Sequence, residues 1–327
     1  MSAPLLLLEN LSISFPAEGG RVRVVEGVSL SIAPGETLAV VGESGCGKSI
    51  TALAMTRLIP RPGRIEPGSR ILFEGRDLLA LPVTEMRAIR GARIGMIFQE
   101  PMTSLNPVTQ VGAQVREAIQ LHTRASTADA HRRVVELFEM VGIPDPARRI
   151  HAYPHQLSGG LKQRVMIAMA MAMKPRLLIA DEPTTALDAT IRAQILDLIR
   201  NLSESTGTAV LLITHDFGVV NEVADRVAVM YAGEIVEEGT REEILANPQH
   251  PYAQGLLKSI PRADARGRRL EEIKGSVPRP GQWPTGCRFN TRCPHVFDRC
   301  RIEVPARTVV SPTQAARCHL VEQRSRA

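Results

Sequence analysis

Residues 42–49 read Gly42-Glu43-Ser44-Gly45-Cys46-Gly47-Lys48-Ser49, a G-x-x-x-x-G-K-S run between the apolar Val40-Val41 and a helical stretch from Ile50 to Leu58. Glycines at these positions let successive backbone N–H groups curl around an anion, and the positive end of the following helix aims at the same point. Lys48 is spaced to reach the β- and γ-phosphates of a nucleotide, and the Ser49 hydroxyl to ligate Mg²⁺. The predicted phosphate-binding set is therefore Gly42, Glu43, Ser44, Gly45, Cys46, Gly47, Lys48, Ser49 and Ile50. A glycine-rich turn with a chance Lys-Ser is the plainer alternative; a strand before and a helix after favour the nucleotide site.

Three further groups carry complementary chemistry. The apolar run Arg176–Ala180 ends in Asp181-Glu182-Pro183. A carboxylate there can hold Mg²⁺ directly or through water, which suits Asp181, while Glu182 points elsewhere and can deprotonate a water attacking the γ-phosphate. Two acids at a strand end also serve as plain loop solvation. His215 follows the β-rich run Thr208–Thr214 and can hydrogen-bond the γ-phosphate, although a lone His is more often a satisfied surface residue. Ser158-Gly159-Gly160 opens a helix of about 160–173 and makes a second anion-seeking helix start. A plain N-cap would account for Ser158 but not for the second glycine.

Elements to hold these groups are visible in the pattern. Leu5–Phe15 and Arg21–Ile32 alternate like strands around Gly19-Gly20, and Ile71–Phe73 and Arg93–Gln99 read as further strands. Pro101 forces the chain out of regular structure and leaves Gln99 at a strand tip. Phe15 could stack on a purine or pack on its neighbours. From Val108 to Ala172 the spacing is helical, with Val111–Leu121 and Ala128–Val141 amphipathic and Ser126 or Thr127 as caps, which predicts a helical subdomain on an α/β core. The continuous apolar run before Asp181 is that of a sheet buried on both faces. Asp188 opens the next helix as a cap or as a cross-subunit contact, and Arg226–Tyr231 with Glu234–Val236 makes a hairpin through Ala232-Gly233.

The chain has 327 residues, 44% hydrophobic and 23% charged, which is ample for a large core and excludes disorder. Its net charge of +6 is unevenly placed: from Pro261 onward there are 14 Lys/Arg against 6 Asp/Glu. A basic tail can mean nucleic acid, an anionic membrane surface or an anionic cofactor, and on most surfaces means only solvation. No targeting segment is visible, and the longest apolar run, Val165–Met173, has nine residues, too short to span a bilayer. A cytosolic chain is expected, with any membrane role exercised through partners. Beyond the Pro/Gly-rich Ser276–Gly286 come Cys287, Cys293, Cys300 and Cys318, four of five cysteines, which argues for ligation rather than disulfides. Four cysteines suit iron–sulfur or Zn²⁺. The lack of C-x-x-C pairs makes a zinc ribbon less natural, and Arg288, Arg292, Arg299, Arg301 and Arg317 could offset a cluster's negative charge; unligated thiols are the third reading. Cys46 reads as a small filler, a regulatory thiol being the other possibility.

Taken together, GESGCGKS at 42–49, Gln99, LSGGLKQR at 157–164, LLIADEPTTALD at 177–188 and THD at 214–216 resemble the ATP-binding subunit of an ABC transporter, specifically of the dipeptide/oligopeptide and nickel importer family. HPYAQGLL at 250–257 resembles that family's C-terminal extension, and LSGGLKQRVMIAMAMAMKP its first paired ATPase more than its second. The resemblance implies a P-loop α/β fold with an antiparallel β subdomain, an inserted helical subdomain at about 105–172 and a Cys-rich extension at 250–327 after an ATPase domain at 4–249. It implies ATP and Mg²⁺ as cofactors, with Lys48, Ser49 and Asp181 on phosphate and metal. Gln99 would sense the metal and the membrane partner, Glu182 act as base and His215 as γ-phosphate switch. Ser158, Gly159, Gly160, Gln163 and Asp188 would close on the nucleotide of an opposite subunit. Phe15 replaces the Tyr often seen at the adenine-stacking position. The segment around Cys287, Cys293, Cys300 and Cys318 matches a cluster that can carry a [4Fe-4S] centre, imperfectly at Ala316-Arg317-Cys318-His319. Implied partners are a paralogous ATPase in a heterodimer, two transmembrane permeases and an extracytoplasmic substrate-binding protein, at the cytoplasmic face of the inner membrane. The alternatives are a soluble ABC ATPase acting on nucleic acid or ribosomes, for which only the basic tail speaks, an importer of nickel- or glutathione-type solutes, and a module in which a redox or iron centre regulates the ATPase.

Overall fold

The computed structural model describes residues 3–99, 104–185, 187–259 and 272–326. Pro101, Ala186 and the start of the basic tail at Pro261 lie outside them. The chain divides into two compact units, one of Met1–Leu5, Ala33–Glu36 and Ala80–Ile213, the other of Leu6–Ile32, Thr37–Leu79 and Thr214–Ala327.

In the first unit the strands Ile94–Ile97, Leu177–Asp181 and Ala209–Thr214 pair in parallel, with Ile97 opposite Ala180 and Asp181 opposite Ile213. Every residue of the latter two strands is buried, as an unbroken apolar run covered on both faces requires. The helices Val111–Gln120, Thr127–Met140 and Gly159–Met171 pack on one another and make the predicted helical stretch. Thr127–Met140 starts where its cap dictates: Ser126 Oγ accepts the Asp129 N–H at 3.1 Å. Gly159–Met171 is apolar nearly all round because it is buried nearly all round, Lys162 and Gln163 included.

The second unit holds two sheets. One is antiparallel, in the order Gly20–Ile32, Leu6–Ala17, Arg70–Phe73, Arg76–Asp77, with Arg64–Ile65 paired to Leu6–Ala17. In the other, Arg307–Val309, Ala315–Arg317, Glu234–Thr240, Arg226–Tyr231 and Thr37–Val41 lie in that order, and only Arg226–Tyr231 and Thr37–Val41 are parallel. The C-terminal residues thus extend the sheet that carries the phosphate-loop strand.

Val41, Val229 and Tyr231 share one buried core with Tyr252, Ala253 and Phe289, so residues on both sides of position 250 pack together. The Tyr231 ring meets those of Tyr252 and Phe289 at centroid distances of 4.6 and 5.2 Å, tilted or edge-on as aromatic quadrupoles prefer.

Two boundaries differ from the sequence reading for local reasons. The phosphate-loop helix runs Lys48–Met55 and stops short of Leu58 because Arg57 turns into the left-handed region at φ +53°. The hairpin's second strand continues to Thr240, past acids that mask it. Glu237 is buried there because it accepts the N–H groups of Gln249 and His250 at 2.8 and 2.7 Å and the Gln314 amide at 2.9 Å.

Candidate nucleotide site

The phosphate loop follows the strand Thr37–Val41. Only glycine fits at 42, where a Cβ would collide with the Met230 carbonyl oxygen and come within 2.9 Å of Cys46 Sγ. Gly47 is the N-cap of Lys48–Met55 in a left-handed conformation and supplies no side-chain cap, so the first-turn amides of that helix face the loop. Lys48, 5% exposed, threads its ammonium into the curl and donates to the carbonyls of Gly42 at 2.8 Å and Glu43 at 3.1 Å. A buried ammonium held by two carbonyls of a glycine-rich loop at a helix start is the arrangement that accepts a polyphosphate. Ser44 and Gly45 are exposed at the mouth, Ser49 and Ile50 half-buried in the first turn. Cys46 is buried and its thiol pushed up by that burial, as a filler's would be.

The back of the loop is held by residues that sequence reading missed. The Glu43 N–H donates to the Tyr252 hydroxyl at 2.9 Å, and the Glu43 carboxylate takes Arg292 bidentately at 2.7 and 2.9 Å. Gly233 N–H donates to the Cys46 carbonyl at 2.8 Å. Arg292 stood out in the sequence only as a neighbour of Cys293; no local pattern links it to a glutamate 249 positions away.

The acids belong to the first unit. Asp181 is the buried last residue of Leu177–Asp181. Glu182, next to it, sits at φ +45°, a conformation that a non-glycine residue keeps only when its surroundings enforce it. The enforcement is visible: its N–H donates to the Ile213 carbonyl at 2.9 Å, and its Oε2 accepts from Thr185 Oγ1 at 2.8 Å and Gln99 Nε2 at 3.3 Å. Gln99, expected to sense metal and membrane partner, thus also touches the expected base. Thr185 was not anticipated; its place in an i, i+3 turn, with its N–H on the Glu182 carbonyl at 3.2 Å, is the signal that could have found it.

Ser158 caps Gly159–Met171, accepting the Leu161 N–H at 3.4 Å. A Cβ on Gly160 would lie 2.9 Å from Ile191 Cγ2, so the second glycine answers to packing in this chain as well. Asp188 caps Ala189–Thr206 through the Ile191 N–H at 2.9 Å, the first of its two readings. Gln163 is 1% exposed and its Nε2 has no hydrogen-bond partner among the described residues. His215 is exposed directly after Ala209–Thr214. The half-buried Phe15 ring lies against the Gly63 backbone, where a Cβ would be 2.5 Å from its Cζ.

Cys287, Cys293, Cys300 and Cys318 are all unbridged. Burial pushes the Cys287 thiol up to about 12, and Cys318, Cys300 and Cys293 add to the rise; Cys293 is raised by burial and then by Cys318 and Cys300. Among the described residues, however, no group of three or more His, Cys, Asp or Glu has the spacing to hold a metal ion. The donor chemistry suits a thiolate-bound group; the spacing is not that of a closed single-ion site. Three of the arginines expected to offset a cluster's charge are committed to carboxylates: Arg288 to Glu26 and Glu234, Arg292 to Glu43, Arg299 to Glu303 and Glu322. Among the described residues no helix is long and apolar enough to cross a membrane.

Comparison with known proteins accords with this geometry. Residues 25–185 match the family model described as ABC transporter, and residues 236–300 that described as Oligopeptide/dipeptide transporter, C-terminal region. The chain is 50% identical over 321 residues to the Dipeptide transport ATP-binding protein DppD of Bacillus subtilis (strain 168), covering 98% of this chain and 96% of that protein. It is 47% identical over 315 residues to DppD of Escherichia coli (strain K12), covering 96% of each. It is 52% identical over 289 residues to the Oligopeptide transport ATP-binding protein OppD of Bacillus subtilis (strain 168), covering 88% of this chain and 81% of that one. Among solved structures, the dimeric post-hydrolysis state of the ATP-binding cassette MJ0796 bound to ADP and Pi matches with TM-score 0.65 and 28% identity over 72% of this chain and 98% of that chain. The cbiO1 structure from Clostridium perfringens, part of the cbiONQ ABC transporter complex, matches with TM-score 0.63 and 27% identity over 75% and 92%.

Proposed function

The chain belongs to the ATP-binding subunits of ABC transporters, and from that premise we propose that it binds MgATP at the Gly42–Ile50 loop and hydrolyses it to energise uptake of di- and oligopeptides. The observation that carries the reading is the Lys48 ammonium buried inside the glycine-rich loop at a helix start, held by the Gly42 and Glu43 carbonyls. Lys48 would meet the β- and γ-phosphates and Ser49 and Asp181 the Mg²⁺. Glu182, fixed by Gln99 and Thr185, would take the proton of the attacking water, and His215 would bond the γ-phosphate. Peptides as cargo are supported by the C-terminal region match and by the names of the DppD and OppD relatives.

The Ser158-Gly159-Gly160 turn, with Gln163 and Asp188 behind it, would close on nucleotide held by a second, paralogous ATPase. The dimeric state of the matched cassette bound to ADP and Pi supports this. Hydrolysis would remove the shared contact and drive two permeases, fed by an extracytoplasmic binding protein, by differential affinity for two states. The chain would sit peripherally on the cytoplasmic face of the membrane. Cys287, Cys293, Cys300 and Cys318 would hold a [4Fe-4S] centre, the spacing telling against Zn²⁺, the other group their chemistry suits; such a cluster would cross-link the extension and add a redox couple. The four unbridged cysteines of the C-terminal segment support this.

The test is Glu182→Gln in the reconstituted transporter. ATP binding should persist while turnover and peptide uptake vanish; unchanged hydrolysis would refute the assigned base, and uptake of nickel chelates or glutathione in place of peptides would refute the cargo.

A further inference from the structure

We propose that Arg292 is a positioning residue for the phosphate loop, acting through Glu43, so that the cysteine-bearing C-terminal segment forms a working wall of the nucleotide site. The inference rests on the reading of the Gly42–Ile50 loop as the ATP site and adds to it a residue from outside the ATPase motifs.

Glu43 is fixed in three directions. Its N–H is taken by the Tyr252 hydroxyl at 2.9 Å, its carbonyl by the Lys48 ammonium at 3.1 Å, and its carboxylate by the Arg292 fork at 2.7 and 2.9 Å. Two of these three partners come from beyond position 250. Arg292 is rigid in its own right: it donates to the carbonyls of Lys274, Ile273 and Gly275 at 2.9, 3.2 and 3.2 Å and lies 5.8 Å from the Tyr231 ring centroid. Its side chain is 3% exposed and that of Glu43 31%, so the bidentate pair is shielded on the guanidinium side and partly solvated at the carboxylate. Burial alone would push the guanidinium down; the bonds to Glu43 more than offset that and hold it above its usual range.

The physical need for such a hold follows from the loop's composition. Glycines at 42, 45 and 47 give the curl its shape and also the largest freedom to lose it, so an external tether lowers the ordering cost of binding. Charge makes a second contribution. Glu43 places a carboxylate in a loop built for a polyphosphate, and Arg292 both neutralises it and holds it on the far side. Loss of Arg292 would loosen the loop and release an anion that repels the ligand.

The two contributions separate in a mutant cycle read by titration calorimetry of the full chain with ATP. Arg292→Gln should weaken ATP binding by about tenfold or more, the scale of a charge-assisted hydrogen bond. Glu43→Gln should weaken it a few-fold, and the double variant should bind more tightly than Arg292→Gln alone, because the released carboxylate is gone. That rescue would not arise if Arg292 served only to fold the tail. Wild-type affinity in Arg292→Gln, or a double variant whose loss is the product of the two single losses, would overturn the proposal. Should Arg292→Gln fail to fold, Glu43→Gln decides alone, since it leaves the carbonyl anchors of Arg292 in place; wild-type affinity there would overturn the proposal. A wild-type chain that binds no ATP would instead overturn the ATP-site reading, and the inference with it.

Discussion

Thr185 donates its hydroxyl to Glu182 Oε2 at 2.8 Å, the same oxygen that receives the Gln99 amide at 3.3 Å. One carboxylate oxygen is thereby held from two sides. Thr185→Ala should lower kcat roughly tenfold, the value of one hydrogen bond to a charged group, with ATP affinity unchanged. Thr185→Ser should restore most of it. Single-turnover hydrolysis checks this, and a Thr185→Ala enzyme with normal kcat would contradict it.

Lys48 is bound to two carbonyls of its own loop. Lys48→Ala should therefore cost nucleotide affinity on the order of 100-fold, since two charge-assisted bonds and the phosphate contact go together. Calorimetric titration with ATP measures it, and affinity within a few-fold of wild type would contradict the assigned role.

His250 is buried at the start of the helix Pro251–Lys258, its Nδ1 accepting the Tyr252 N–H at 3.0 Å, and burial pulls its pKa down to about 3. The folded state thus holds His250 neutral while the unfolded chain protonates it near the ordinary 6.5. Stability should be full above pH 6.5 and fall as pH drops toward 3, at up to about 1.4 kcal/mol per pH unit. Glu237, which accepts the His250 N–H at 2.7 Å, is pushed up by burial, so its own contribution runs the other way, present at low pH and lost as pH rises through its raised pKa. His250→Asn keeps an acceptor for the cap and removes the titration. Urea melts from pH 7 to 4.5 should show the slope in wild type and a flatter one in the variant; equal slopes would contradict the assignment.

Ser158 makes a long cap bond of 3.4 Å to the Leu161 N–H. Ser158→Ala should cost about 1 kcal/mol of stability or less from the lost cap. If Ser158 also closes on a partner's nucleotide, ATP-dependent association of the two ATPases should fall by far more than that cost explains. Sedimentation with ATP on a Glu182→Gln background reads it, and undiminished association would restrict Ser158 to the cap.

The local structure around the candidate site was legible where it depends on contiguous residues. The G-x-x-x-x-G-K-S loop, the Asp181-Glu182 strand end and the Ser158 helix start are local motifs whose spacing is itself the physical requirement, and the parallel strands announce themselves by unbroken burial. What stayed hidden depends on separation. Glu43 meets Arg292 across 249 positions and Tyr252 across 209, and no periodicity reports such a meeting. The end of the strand Glu234–Thr240 is masked in the sequence because acids look solvated, whereas Glu237 is buried and satisfied by three donors. The arginines near the cysteines read as counter-ions for a cluster, whereas Arg288 and Arg292 pair with Glu26, Glu234 and Glu43.

The chain has a single tryptophan, Trp283, half-buried against the core shared by Val41 and Tyr252, with the Arg288 guanidinium stacked 3.5 Å from its ring centroid. Arg288 also donates to the Ala232 carbonyl, and the adjacent Gly233 N–H is bonded to Cys46 in the phosphate loop. The protein therefore carries an intrinsic fluorophore joined to its phosphate loop through Arg288 and Ala232-Gly233. Its emission should register, without any label, whether the tail is seated, with a drop or red shift expected as the tail leaves the core.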